Sequence, residues 1–131
     1  MFAKLKKDVE QKAIDIVMAY EEKQGRNPHI VSGKGCGYDI ESDGRYIEVK
    51  GSSESWDTYN WLCLYPTEVD CLRKFSNNFY LYIVKMDRKN LSENFNLYVI
   101  PGKSLLEKFN IKVTAYSLSP ISQRKLKEYK T

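Results

Sequence analysis

Apolar residues at the start of the chain recur with helical spacing. Phe2, Leu5, Val9, Ala13, Ile16, Val17 and Tyr20 form one stripe. A repeat near 3.6 residues puts them on one face and predicts an amphipathic helix over residues 2–24. Gly25 and then Pro28 supply its stop. His29 to Ser32 reads as a short extended lead-in. Ser32-Gly33-Lys34-Gly35 reads as a connecting loop without phosphate-cradle spacing. From Gly37 to Gly51 the pattern becomes that of two short strands around Asp43-Gly44. That dipeptide is a hairpin signal, because a type I′ turn needs positive φ at both central residues.

Beyond the hairpin, Ser52 to Asp57 is a polar loop containing Trp56, and Tyr59 to Tyr65 reads as a further strand. Pro66-Thr67-Glu68 opens a second helix that runs to about Phe75, with proline in its first turn. Asn78 to Met86 is almost continuously apolar, as suits a central strand buried on both faces. Asp87 to Asn94 reads as a polar loop and Phe95 to Ile100 as a strand. A short helix over Ser104 to Phe109, an edge strand over Ile111 to Tyr116 and a basic helix over Ser119 to Tyr129 complete the series. The order predicts an α/β fold, a mixed central β-sheet flanked by helices. The long apolar strand is expected to join a parallel partner through a helical crossover. With 131 residues the chain is read as a single domain over 1–131, with one hydrophobic core.

The hairpin carries the candidate chemistry. With Asp43 and Gly44 at the turn, counting outward pairs Ser42 with Arg45, Glu41 with Tyr46, Ile40 with Ile47 and Asp39 with Glu48. Facing carboxylates repel, and Lys50, two residues past Glu48, projects from the same face. Two carboxylates beside a lysine suit a divalent metal ion and a reactive water. The plainer alternative is a solvated acidic strand face neutralised by Lys50. Against it, Ile47 and Val49 alternate with Glu48 and Lys50, and Gly37 and Gly51 leave room for a close approach.

Composition narrows the classes. Hydrophobic residues make up 42% and charged residues 29%, ordinary for a globular protein. No apolar run approaches the ~20 residues that span a bilayer. Met1 to Glu10 is charged and lacks an apolar centre, so no signal peptide is expected. Three scattered cysteines (Cys36, Cys63, Cys71) suggest a reducing compartment, hence a cytoplasmic protein, and neither a disulfide frame nor a zinc site. His29 is the only histidine, which removes multi-histidine metal sites and makes histidine-based nucleophilic catalysis improbable. A net charge of +4 is compatible with nucleic acid. Basic residues cluster at Lys4, Lys6 and Lys7 and at Arg124, Lys125, Lys127 and Lys130. On the first helix, Glu10 and Glu21 both border the apolar stripe, roughly 80–100° from its centre.

Asp39, followed by Glu48-Val49-Lys50 and preceded by an acidic helix, resembles the PD-(D/E)XK nuclease-like superfamily. The closer resemblance is to DUF3883 domains, the NO VEIN C-terminal domain. It rests on Val9-Glu10, Ala13-Ile14, Val17, Tyr20-Glu21, Gly25-Arg26, Gly37-Tyr38-Asp39-Ile40, Tyr46 to Gly51, Thr67-Glu68 and Tyr80 to Val84. It covers about residues 8–101 and leaves a basic helical tail. One departure is Tyr38, where the broad superfamily pattern places proline.

The resemblance implies a restriction-endonuclease-like core. Asp39, Glu48 and the Val49 carbonyl would then hold Mg²⁺ or Mn²⁺, with Lys50 orienting the attacking water. A helix acid, Glu10 ahead of Glu21, would complete the site. Candidate nucleic-acid contacts are Lys34, Ser52, Trp56, Arg124 and Lys125. The expected activity is metal-dependent hydrolysis of DNA phosphodiesters in defence, restriction or repair. The expected partners are DNA, a second copy of the chain, or a helicase or other ATPase. The alternative is a catalytically inactive module that binds nucleic acid or protein and retains the nuclease fold.

Overall fold

A computed structural model describes residues 2–31, 35–53, 62–111, 124 and 127–130. Helix α1 spans Phe2–Lys23, followed by strands β1 (Pro28–Ile30), β2 (Ile40–Ser42) and β3 (Arg45–Ser52). Helix α2 (Pro66–Lys74) leads to β4 (Phe79–Asp87), β5 (Asn90–Pro101) and α3 (Gly102–Lys108). A single 3-10 turn covers Lys127–Tyr129. The five strands form one mixed sheet in sequence order. The β3–β4 pair is parallel and every other pair is antiparallel. The expected helical crossover is therefore α2, which carries the chain from the end of β3 back to the start of β4.

Side-chain alternation along β3 and β4 divides the interior between the two sheet faces. On one face Val9, Ala13, Ile16 and Val17 of α1 pack against Ile40, Ile47, Val49, Tyr82, Val84 and Met86. On the other, Cys71 and Leu72 of α2 and Leu105 of α3 pack against Phe79 and Leu81. The two conspicuous glycines admit helices. A Cβ on Gly51 would meet the Ala13 Cβ at 2.7 Å, and one on Gly37 would meet the Cys71 Cβ at 2.8 Å. The room they leave is filled by α1 and α2, not by a ligand.

The hairpin register matches the expectation over three pairs, Ile40 with Ile47, Glu41 with Tyr46 and Ser42 with Arg45. Asp43 (φ 48°) and Gly44 (φ 89°) both take the positive φ that the turn requires. The fourth pair is corrected. Asp39 lies in a bend just outside the ladder, and its N–H donates to the Ile47 carbonyl at 2.8 Å.

Three further expectations change. Residues 87–94 do not form a loop, because the chain turns at Arg88-Lys89 and β5 begins at Asn90. A two-residue turn without glycine gave no hairpin signal there, and Leu91 packs on the α1-side core. Residues 62–65 are not strand. Leu62 and Leu64 pack beside the α2-side cluster without a ladder partner, and residues 59–61 lie outside the described part. Ile111 is not in a strand, and residues 112–116 are outside the described part, as is most of the expected terminal helix. No helix among the described residues is long and apolar enough to cross a membrane.

Candidate active site

Glu48 and Lys50 sit on the α2 side of β3, because Ile47, Val49 and Gly51 occupy the α1 side. Glu48 is only 3% exposed. Asp39 comes to the same place from the bend before β2. Its Oδ2 accepts the Val49 N–H at 2.9 Å, taking the position a ladder carbonyl would fill had β2 continued. In an extended strand the N–H and C=O of one residue point to the same side, so the Val49 carbonyl also opens toward Asp39.

Lys50 bridges two elements. Its Nζ lies 3.2 Å from Glu48 Oε2 and 3.0 Å from Glu68 Oε1. Glu68 is in the first turn of α2, and the same oxygen accepts the Tyr65 N–H at 2.9 Å, capping the helix start. The exposed Tyr65 ring flanks the ammonium, with Nζ 5.2 Å from its centroid.

Two carboxylates thus share one lysine, with Asp39 beside them, and the protonation of Asp39, Glu48 and Lys50 reflects it. Burial, then the negative charge of Asp39, pushes Glu48 up to about 9. Burial also raises Asp39, against the opposing pull of the Val49 N–H. For Lys50, burial works toward a lower pKa, but Glu48 and Glu68 outweigh it and the net shift is upward. The lysine is therefore held charged, while the Glu48 carboxyl is pushed toward its protonated form. Like charges placed this close cannot all ionise.

The chain belongs to the NO VEIN C-terminal family. Residues 9–100 match the sequence model described as Protein NO VEIN, C-terminal. No curated protein and no solved structure matches the chain. The family match spans α1 to nearly the end of β5. It includes Asp39, Glu48, Lys50 and Glu68, and leaves the basic C-terminal segment outside.

The other residues singled out from this family member's sequence are placed as follows. Glu10 is exposed on α1, the helix that covers the opposite sheet face from Glu48 and Lys50. Glu21 is fully buried on that same opposite face. It accepts Arg26 Nε at 2.6 Å, Arg26 Nη2 at 2.8 Å and Tyr82 Oη–H at 2.6 Å. Neither glutamate is brought to Asp39, Glu48 and Lys50, and the helix carboxylate that does arrive comes from α2. Ser52 is buried, with its Oγ 3.3 Å from Lys85 Nζ, and Arg124 is exposed. Lys34, Trp56 and Lys125 lie outside the described residues.

Sequence reasoning missed the roles of Glu68 and Lys85. Glu68 left two traces, its place in the family resemblance as Thr67-Glu68 and an acid three residues after the helix cap position. Lys85 stands in an apolar run and is buried where the parallel pair ends, opposite Ser52.

Proposed function

We propose that this chain is a Mg²⁺-dependent nuclease-like domain with a restriction-endonuclease-like (PD-(D/E)XK) core, acting on the phosphodiester bonds of DNA. The observation that carries this reading is the convergence of Asp39, Glu48 and Lys50 on one sheet face, with more negative charge than Lys50 can balance. A structural ion pair needs one carboxylate per cation. Here the surplus pushes Glu48 toward protonation, a tendency that a divalent cation would reverse.

The donor set fits the metal. Mg²⁺ is held by one or two carboxylates with water and phosphate oxygens filling the other positions. Among the described residues no group of three or more His, Cys, Asp or Glu side chains forms a cage for a metal ion. Asp39, Glu48 and the Val49 carbonyl would hold the ion. When bound, it would lower the pKa of water and offset charge on the scissile phosphate. Lys50 supplies a fixed positive charge for the negative charge that develops on the phosphoryl oxygens. Burial around Glu48 and Asp39 strengthens these interactions by keeping the local dielectric low.

A second reading, an inactive module that binds nucleic acid or protein, is favoured by one observation. Lys50 engages both Glu48, at 3.2 Å, and Glu68, at 3.0 Å, as a structural ion-pair network would.

Titration calorimetry with Mg²⁺ and Mn²⁺ on the unsubstituted chain, Asp39→Ala and Glu48→Ala, with labelled DNA in parallel cleavage assays, separates the two. Metal binding and cleavage lost together in both variants support the nuclease. Salt-sensitive DNA binding without metal uptake or cleavage supports the binding module.

A further inference from the structure

Lys50 has two carboxylate partners, and only one of them belongs to the metal-ligand set assigned above. Glu48 is next to Lys50 on its own strand. Glu68 arrives from α2 and lies slightly closer, at 3.0 Å. Rigid surroundings fix Glu68. Its Oε1 is tied to the Tyr65 N–H at 2.9 Å, and Pro66 sets the first turn of α2. The helix also packs so closely on the bend before Asp39 that a Cβ on Gly37 would meet Cys71 at 2.8 Å.

We propose that Glu68 is a positioning residue, the seat that holds the Lys50 ammonium over the site independently of Glu48. The proposal rests on the nuclease reading for its purpose and on the contacts alone for its substance. A carboxylate that coordinates a divalent cation donates its lone pairs to the ion, and the ion repels a neighbouring ammonium. A lysine held only by Glu48 would then be free to swing on its four-carbon stem toward solvent. Glu68 keeps it in place, because its anchor is a helix start and not the metal-binding strand. An ammonium has three donors and no acceptor, so it can serve both carboxylates and still keep one proton for a substrate oxygen.

The test reads the ammonium directly. In ¹⁵N-labelled protein, exchange of the Lys50 Nζ protons with water is measured with and without saturating Mg²⁺, in the unsubstituted chain and in Glu68→Gln. The glutamine amide oxygen can still accept the Tyr65 N–H, so the helix start is preserved. Exchange about tenfold faster in the variant, the worth of one charge-assisted hydrogen bond, is expected with and without Mg²⁺. Unchanged exchange in both conditions overturns the proposal.

A measurement on the unsubstituted chain needs no variant to fold. A scalar coupling from Lys50 Nζ to the Glu68 carboxyl carbon, retained when Mg²⁺ is added, supports the seat, and its absence overturns it. In cleavage assays Glu68→Gln should lower kcat about tenfold with little change in KM for DNA. A chain that neither binds metal nor cuts DNA would end the nuclease reading. The metal-free exchange comparison would still uphold or overturn Glu68 as the seat of Lys50.

Discussion

Two clusters of buried charge lie on opposite faces of one sheet, and they are built to opposite rules. On the α1 face, Glu21 is met by both arms of Arg26 and by the Tyr82 hydroxyl, which in turn accepts from Arg45 Nη1 at 2.9 Å. Arg45 also stacks on Tyr80, 4.1 Å from its ring centroid. Burial alone would raise the Glu21 pKa, but the hydrogen bonds from Arg26 and Tyr82 reverse it and the net shift is downward. Ser42 Oγ, buried near this carboxylate, finds no partner at hydrogen-bonding geometry among the described residues. On the α2 face, Glu48 and Glu68 share Lys50 with Asp39 alongside, and the pKa of Glu48 moves the other way. A charge cluster that completes itself serves the fold. One that stays unbalanced after folding fits the metal site proposed above.

This contrast can be broken by substitution, and the largest stability effect belongs to the satisfied cluster. Glu21→Ala removes the partner of Arg26 and Tyr82 and should lower stability by about 3–5 kcal/mol, read from denaturant midpoints. A loss below about 1 kcal/mol would mean that Arg26 simply turns to water and that the cluster is not structural.

The unbalanced cluster should respond with the opposite sign. A carboxyl whose folded pKa is raised contributes stability below its unfolded pKa and loses it as pH rises toward the folded value. For Glu48 that window runs from about 4.5 up to about 9. Glu48→Gln should therefore raise the stability of the metal-free protein by about 1–3 kcal/mol at pH ~8, with little gain near pH ~4.5, while cleavage is lost. Thermal melts across that range check both halves. Destabilisation at pH ~8 would place Glu48 with the structural charges.

Acid should sharpen the comparison further. The pKa of Glu21 is depressed, so its contribution is present above the unfolded carboxylate pKa and is lost as pH falls through the lower folded value. Glu21→Ala should flatten the acid limb of the stability profile below pH ~4.5 relative to the unsubstituted chain. The smallest effect is expected from Tyr82→Phe. It deletes one donor to Glu21 and one acceptor for Arg45 and should cost about 1 kcal/mol by denaturant titration.

The sequence was most legible where structure is local. The long first helix, the hairpin turn at Asp43-Gly44 and three pairs of its register follow from period and turn chemistry, which act over a few residues. The parallel β3–β4 pair was also readable, since an apolar strand behind a helix implies a crossover. Helical phase correctly set Glu21 at the border of the apolar stripe. Phase says nothing about which sheet face that stripe covers, so Glu21 was grouped with Asp39 and Glu48 although it belongs to the other side. The second hairpin was hidden because Arg88-Lys89 carries no turn signature.

By itself, then, the sequence determined which residues share a face of β3, because alternation in an extended chain is a property of the backbone. It thereby put Glu48 and Lys50 side by side and Ile47 and Val49 behind them. Two features were decided only by the tertiary structure. Asp39, which the hairpin register already set near Glu48, lies in a bend that lets its carboxylate take the Val49 N–H. Glu68 reaches the site by the packing of α2 across the sheet. That arrival depends on where the chain returns after leaving β3, which is set by burial of the whole helix rather than by any residue's neighbours in sequence.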